Sequence, residues 1–475
     1  MVILCIPLSY VSFAPSESHA LNGSNVSVNA GHQLGPSTVS EYLAANENIV
    51  IYQDPALVKA FKELGIRYLR VNGPFDSVIP VNKLRGGKLA LDFKGYEQHL
   101  ESLRTILRAK PLIILGYMAK AISSQPGKSN YWTYPTANWD DWYHVVSQLV
   151  RHNVRNNFAG LYYEVWNEPE TGCPSCDWQG SYQDYIRLYI AAAKAVKAAD
   201  PSAKVGGPAA SHWTNPWMGH SNQVHTGPFI KDFLSSIKHY NESNPDSAAP
   251  LDFISWHHYW TDYLSDGTKA VDRYIAEVGF PGNPRYLVTE WNSEWGQAAH
   301  PWPRKASFVA ANIIQQIRAP KVWPFWFTFG LQHDRELSTD YNSGLIAHDN
   351  IHCKRPTYAA FQMMNAMTTG NFVGTSSPHE LAIMATRDDQ AFKVTAVVAN
   401  YNPTNKSAKV SFTGLPFTTS SIKQKIQWID KTRSMGCGGL EAGTVDHLSV
   451  KNKSISFGLN FPAYSIAQIT LTSKR

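Results

Sequence analysis

The sequence predicts an α/β chain, a (β/α)8 TIM barrel followed by a C-terminal all-β sandwich module. Between about residues 50 and 370, short apolar segments alternate eight times with amphipathic ones, the rhythm of parallel strands joined by crossover helices. No Gly-rich phosphate turn follows the first strand candidate, as a doubly wound nucleotide-binding sheet would normally require. After about residue 375 the helical period stops, and alternating segments separated by turn residues take over.

In chain order, the expected barrel strands are 66–71, 88–93, 111–118, 160–166, 204–208, 252–256, 285–289 and 321–329. A helix over 55–64 precedes them. The helices that follow each strand are expected at 96–108, 139–153, 181–199, 229–240, 269–278, 306–318 and 356–367, with no clear helix between the first strand and the second. The expected organisation is a leader over 1–20, a barrel over 21–375 and a sandwich over 376–475. Within the sandwich, 381–384, 392–398, 408–412 and 465–471 read as strands, and the β-prone segment 24–28 is expected to pair with them.

The bulk properties narrow the function. A chain of 475 residues with 43% hydrophobic and 17% charged residues is globular. Its 15 Trp, 23 Tyr and 20 Phe suit stacking on sugars, though they suit a large core equally well. A net charge of +6 without a Lys/Arg run of five points away from nucleic acid. Nowhere do eighteen apolar residues run together, so no membrane partner is expected. Nothing in the sequence specifies an oligomeric state.

The apolar start with Ser18 and Ala20 at −3 and −1 reads as a secretory leader, although its first residues lack Lys and Arg. Export would make the chain extracellular and leave four cysteines, Cys173, Cys176, Cys353 and Cys437. The Cys173–Cys176 pair is expected as a loop-bracing disulfide, and no second cluster completes a metal site. Sequons begin at Asn22, Asn25, Asn241, Asn405 and Asn452.

Side chains at the C-terminal ends of barrel strands face the catalytic mouth. Three expected strand ends are dense in polar and aromatic residues: Tyr163-Glu164-Val165-Trp166-Asn167-Glu168-Pro169, Ser255-Trp256-His257-His258-Tyr259 and Thr289-Glu290-Trp291-Asn292. A lone glutamate at a strand end is ordinarily a salt-bridged structural group. Two of them, on the fourth and seventh strands of one barrel, face each other across the mouth. Glycoside cleavage needs such a pair, one carboxylic acid to protonate the departing oxygen and one carboxylate to attack the anomeric carbon. A gap of about 5–5.5 Å between them means retention through a covalent intermediate. Glu168 and Glu290 are the expected pair, and Asn167 can donate to the sugar 2-OH. This chemistry needs no metal and no organic cofactor.

With these segments and others, the sequence resembles glycoside hydrolase family 39. The fifth-strand segment Asp200-Pro201-Ser202-Ala203-Lys204-Val205-Gly206-Gly207-Pro208-Ala209, the sixth-strand segment from Asp252 to Tyr259 and Val288-Thr289-Glu290-Trp291-Asn292-Ser293 all fit its pattern. Phe325-Trp326-Phe327-Thr328-Phe329 and Lys354-Arg355-Pro356-Thr357-Tyr358-Ala359-Ala360-Phe361 echo its eighth strand and last helix. The likeness runs over roughly residues 60 to 370. It implies Glu168 as acid/base, Glu290 as nucleophile and Asn167 as the 2-OH contact. It also implies His257 and Tyr259 near the nucleophile, with His258 taking that place if the motif is read one residue later. Trp326 would be a platform under the sugar, and Trp291 a further substrate contact. Arg70 is expected either to keep Glu290 ionised or to form a structural ion pair. Glu164 is read as structural, and Glu170 and Glu294 as solvated or substrate-facing residues at the rim.

Two segments depart from the family pattern, 330–336 and the cysteine loop 171–178. Both shape the pocket, so several substrates stay open. The leading expectation is exo-cleavage of a β-linked pentoside such as a xyloside. An α-L-iduronidase-like enzyme would use His333 and Arg335 for a uronate. An endo-acting enzyme would line an open cleft with Trp213, Trp217, Trp260 and Trp302, which equally suit a core. A non-catalytic carbohydrate-binding protein is the alternative of another class, and it has no need of an acid and a nucleophile.

Overall fold

The computed structural model describes residues 24–75, 78–172, 177–219, 227–259, 263–293, 302–318, 322–330, 344–347, 353–417 and 421–473. The leader, Asn22, Cys173, Cys176, Trp260, Glu294, His333 and Arg335 lie outside them, as does the side chain of Trp302.

The chain opens with β1 (Ser24–Pro36), which lies outside the barrel. Eight parallel strands then close a barrel: β2 (Ala44–Glu47), β3 (Tyr68–Val71), β6 (Lys110–Leu115), β7 (Tyr162–Val165), β8 (Lys204–Ala210), β9 (Phe253–His258), β10 (Arg285–Trp291) and β11 (Val322–Trp326). The ring shuts where Trp326 pairs with Ala45. Helices α1 (Pro55–Leu64), α2 (Lys94–Ser102), α3 (Trp139–Arg155), α4 (Tyr182–Ala199), α5 (Phe229–Ser243), α6 (Leu264–Val278), α7 (Trp302–Arg318) and α8 (Pro356–Asn365) follow the strands in turn.

One expected barrel strand is corrected. Segment 88–93 contributes only β5 (Leu89–Leu91), which pairs with β4 (Val81–Lys83) in a separate hairpin. The first barrel strand is instead β2, whose four residues are all buried. Ala44-Ala45-Asn46-Glu47 has neither β-branched residues nor alternation, so nothing local marks it as a strand.

Period-two geometry builds the mouth from the floor upward. Ala44, Leu112, Phe253, Leu287, Trp323 and Phe325 form an apolar plug, with Tyr68 and Tyr162 packed against it. Two residues further along their strands, on the same face, come the polar groups Asn46, Arg70, Glu164 and Ser255.

The remaining strands are β12 (Asn371–Ser376), β13 (Ala382–Asp388), β14 (Lys393–Asn400), β15 (Lys406–Thr413), β16 (Ser421–Ile429), β17 (Thr444–Ser449), β18 (Ile455–Phe461) and β19 (Ser465–Thr472). Together with β1 they make one nine-stranded sheet. It folds over on itself into a sandwich: Trp428 of β16 meets Phe461 of β18, at the far edge of the sheet, with ring centres 5.7 Å apart. At the fold, β1 runs antiparallel to β12 and parallel to β15, with register shifts between Asn29 and Gly35. The sandwich leans on the barrel's helices. Gln468 donates to the Met363 carbonyl at 2.9 Å, and Tyr401 packs on Phe308 of α7. A disulfide, Cys353–Cys437, ties the approach to α8 to the sandwich across 84 residues of chain.

Candidate active site

Arg70 is the hub of the mouth. It is 2% exposed and its donors fan out to four partners. Nε bonds Glu164 at 2.7 Å, Nη1 bonds Glu290 at 2.6 Å and Asn46 at 3.2 Å, and Nη2 bonds Asn167 at 2.7 Å. Only a guanidinium offers donors in so many fixed directions. Glu164 therefore sits deep on the Arg70 face and is no rim residue. Asn46, absent from the sequence reading, holds the hub by accepting from Arg70 and donating to the Thr289 carbonyl at 2.9 Å.

Glu290 reaches the mouth through a register fault. β10 pairs Val288 with Trp256 but then Glu290 with His257, skipping a residue. The bulge turns Glu290 inward. Its Oε2 accepts from Tyr259 Oη at 2.5 Å. Burial alone would raise this carboxyl. The positive charges of His257 and Arg70 and the bonds from Tyr259 and Arg70 outweigh it, and Glu290 is held below the usual carboxylate range.

Glu168 stands on a strained turn. Trp166 and Glu168 have φ of 72° and 41°, a region that costs non-glycine residues of order 1–3 kcal/mol each. Surrounding bonds hold it: Trp166 N to Leu115 O at 3.1 Å, Glu168 N to Ala209 O at 3.0 Å, and the Trp166 indole to Asp177 O at 2.8 Å. The Glu168 side chain is 28% exposed against 11% for Glu290, so it is the more solvent-reachable of the two. Fully buried His257 lies between them, its Nδ1 2.6 Å from Glu168 and 3.6 Å from Glu290. Burial lowers the affinity of this imidazole for a proton, but Glu290 and Glu168 more than offset it and raise it above the ordinary value. Carboxylate oxygens of Glu168 and Glu290 and a ring nitrogen of His257 all fall within 4.8 Å of one another. The three could bracket a cation, yet Arg70 already neutralises Glu290 and Glu168 engages His257, an arrangement suited to moving protons.

The structure brings Arg70, Asn167, Glu168, His257, Tyr259 and Glu290 together. It keeps two expected residues out. Trp291 and Trp326 are both fully buried and pack edge to face on each other at 4.9 Å. They point outward to the helices, Trp291 against Phe308 and Trp326 against Phe361. Phe327, one residue on, is partly exposed and stands 5.9 Å from the Tyr259 ring, so the ring at the end of β11 that borders the site is Phe327 and not Trp326. His258 does not take the place of His257; it stacks on Trp213 at 5.1 Å. Trp213 and Trp217 are buried at 7% and 4% exposure, which makes them core and not cleft.

Glu170 is a further correction. It is fully buried, accepts from Ser211 N and Oγ at 2.6 Å each, and leaves Oε2 without a partner among the described residues. Burial first, and then the charge of Glu168, push its carboxyl up from 4.5 to about 7. A raised carboxylate contributes stability that is complete below pH 4.5 and lost as pH rises through about 7, here of the order of 3 kcal/mol. Glu170→Gln keeps the neutral form at every pH. The variant's unfolding temperature relative to the native protein is expected to rise between pH 4 and pH 8; an offset that stays constant would show that Glu170 carries no such proton.

Asp177 is a further residue that sequence reasoning missed, within a loop it had marked as unusual. Its Oδ2 accepts from Asn167 Nδ2 at 2.6 Å and Tyr117 Oη at 3.0 Å. Burial raises it to about 6, with the charges of Glu168 and Glu290 adding to the rise and the Asn167 and Tyr117 bonds opposing it. A capping box between Ser181 and Asp184 starts α4 just beyond and anchors this side of the loop.

Known proteins share this fold and much of this sequence pattern. The family described as "Glycosyl hydrolases family 39" matches residues 38–413. A β-xylosidase of Caldicellulosiruptor saccharolyticus is 25% identical over 440 residues, spanning 86% of this chain and 81% of its own. A second, from Geobacillus stearothermophilus, is 23% identical over 371 residues, spanning 70% of this chain and 66% of its own. The crystal structure of a monomeric β-xylosidase from Caulobacter crescentus CB15 superposes with a TM-score of 0.75 at 19% identity, over 95% of this chain and 99% of that one.

Proposed function

This chain belongs to glycosyl hydrolase family 39, and on that premise we propose that it removes β-linked xylose or a closely related neutral sugar from the end of a glycoside, with retention. Glu168 protonates the leaving oxygen while Glu290 attacks the anomeric carbon, breaking the C–O bond and forming a glycosyl ester. Water then attacks that carbon as Glu168 takes its proton, releasing the sugar and the Glu290 carboxylate. His257 shares the proton that Glu168 gives up and regains. Asn167, with its Oδ1 fixed by Arg70, keeps an amide N–H for the sugar 2-OH.

The observation that carries the proposal is the approach of the two carboxylates to within 4.8 Å, which leaves no room for the water that inversion requires between them. The two relatives named β-xylosidases support the choice of xylose. The test is a panel of p-nitrophenyl xyloside, arabinoside, glucoside and iduronide, with NMR of the first-formed sugar. Fastest turnover of the β-xyloside and a β product are expected; an α product would overturn the double displacement.

The apolar leader and the Cys353–Cys437 disulfide support an extracellular setting. Asn25, Asn405 and Asn452 are exposed, as glycosylation requires, whereas Asn241 spends its side chain on two bonds to Ala249. Among the described residues no helix is long and apolar enough to cross a membrane.

A further inference from the structure

We infer that Asp177 is a specificity residue that accepts a hydroxyl of the sugar in the cleavage subsite and turns away sugars bearing a carboxylate. The inference rests on the glycosidase reading above and narrows its substrate to a neutral glycon.

Four observations lead there. Asp177 belongs to the same wall as the two reactive carboxyls, through the chain of bonds Asp177–Asn167–Arg70–Glu290 at 2.6, 2.7 and 2.6 Å. Only one of its oxygens is used: Oδ2 takes both protein donors, and Oδ1 has none among the described residues. The residue is partly exposed, so the open oxygen is available to a ligand. Beside it lie aromatic surfaces, Tyr117 edge-on to Trp132 with ring centres 4.9 Å apart, both partly exposed.

An aromatic flank next to an open carboxylate oxygen suits a pyranose, which offers C–H faces to rings and O–H groups to acceptors. It suits a uronate badly. The sugar carboxylate would join Asp177, Glu168 and Glu290, while Arg70 is fully engaged by Glu164, Glu290, Asn46 and Asn167. A buried like charge with no free cation among the described residues is expensive. No fold rule requires an acid at 177. Its two partners would be satisfied equally well by an asparagine carbonyl, so it is the charge and the free oxygen that call for a ligand.

The experiment compares the native protein with Asp177→Ala and Asp177→Asn on an aryl β-xyloside, its monodeoxy analogues and an aryl uronide. For the xyloside, kcat/KM of Asp177→Ala is expected to fall about 10- to 100-fold, mainly through KM. One monodeoxy analogue, lacking the hydroxyl that Asp177 holds, should lose under about 3-fold. Asp177→Asn should raise the uronide-to-xyloside ratio about 10-fold or more. A uniform loss across all analogues, carried by kcat, would mean that Asp177 merely props Asn167, and the inference fails. A native protein that prefers the uronide also overturns it. Should the native protein cleave no neutral glycoside at all, the function proposed above fails first, and the two failures are told apart.

Discussion

Glu290→Gly is expected to cut kcat on an activated aryl glycoside by about four orders of magnitude or more, because the covalent route vanishes and a lone acid remains. Azide should revive it in a diagnostic way. With the carboxylate gone, the small anion occupies its place and attacks the anomeric carbon directly, giving the inverted α-azide. In Glu168→Ala the nucleophile is intact, so a good leaving group still departs without an acid. Azide then intercepts the glycosyl ester from the opposite face and gives the retained β-azide. The environment explains the direction of the assignment. Glu290 is held ionised by Arg70, Tyr259 and the charge of His257, as an attacking carboxylate must be. Glu168 is the more exposed and shares a close bond with an imidazole, as a group that cycles a proton must be. Azide products of the opposite configurations would exchange the two roles.

Arg70→Met carries the second large effect. It leaves Glu164 and Glu290 buried without their shared cation, and breaking such a pair costs about 3–5 kcal/mol. Urea unfolding at pH 7 should show the loss. The sign with pH follows from Glu290. Its carboxyl is lowered in the folded state, so its contribution to stability is present at neutral pH and disappears as the solution is acidified through the folded value. Without Arg70 the carboxyl keeps its proton to higher pH. The acid limb of kcat/KM should therefore move upward, and the stability gap between variant and native protein should shrink towards pH 4. Arg70→Met combined with Glu164→Met, a replacement of buried charge by apolar volume, should recover much of the stability but little of the activity. A gap independent of pH would contradict the view that Arg70 works by keeping Glu290 ionised.

Much of this fold is written in local patterns. Seven barrel strands are runs of apolar residues between helices whose apolar face repeats every three to four positions. The exception, Ala44–Glu47, is instructive: its residues are buried because the ring must close, and closure is a requirement of all eight strands together. The segment that took its place in the sequence reading, 88–93, has the composition of a strand but only a hairpin partner.

The site divides along the same line. Glu168, Glu290, Asn167, His257 and Tyr259 were legible because carboxylates, amides and imidazoles at strand ends announce themselves by type and position. Trp291 and Trp326 were misread because aromatic identity says nothing about which face a residue takes. The skipped register between Val288 and Glu290 and the left-handed turn at Trp166 and Glu168 reset the alternation just where the chemistry begins. Glu170 and Asp177 could not be placed from sequence either, since loops have no period to extrapolate.

The amino-acid order alone thus determined the architecture, the two-carboxylate chemistry and the family, through periodicity and residue type, which act over a few neighbours. Which side chains share the mouth, which oxygens stay free and what charge each group carries were decided by the tertiary structure. Those properties depend on distances between residues scores of positions apart, and on water excluded only once the barrel has closed.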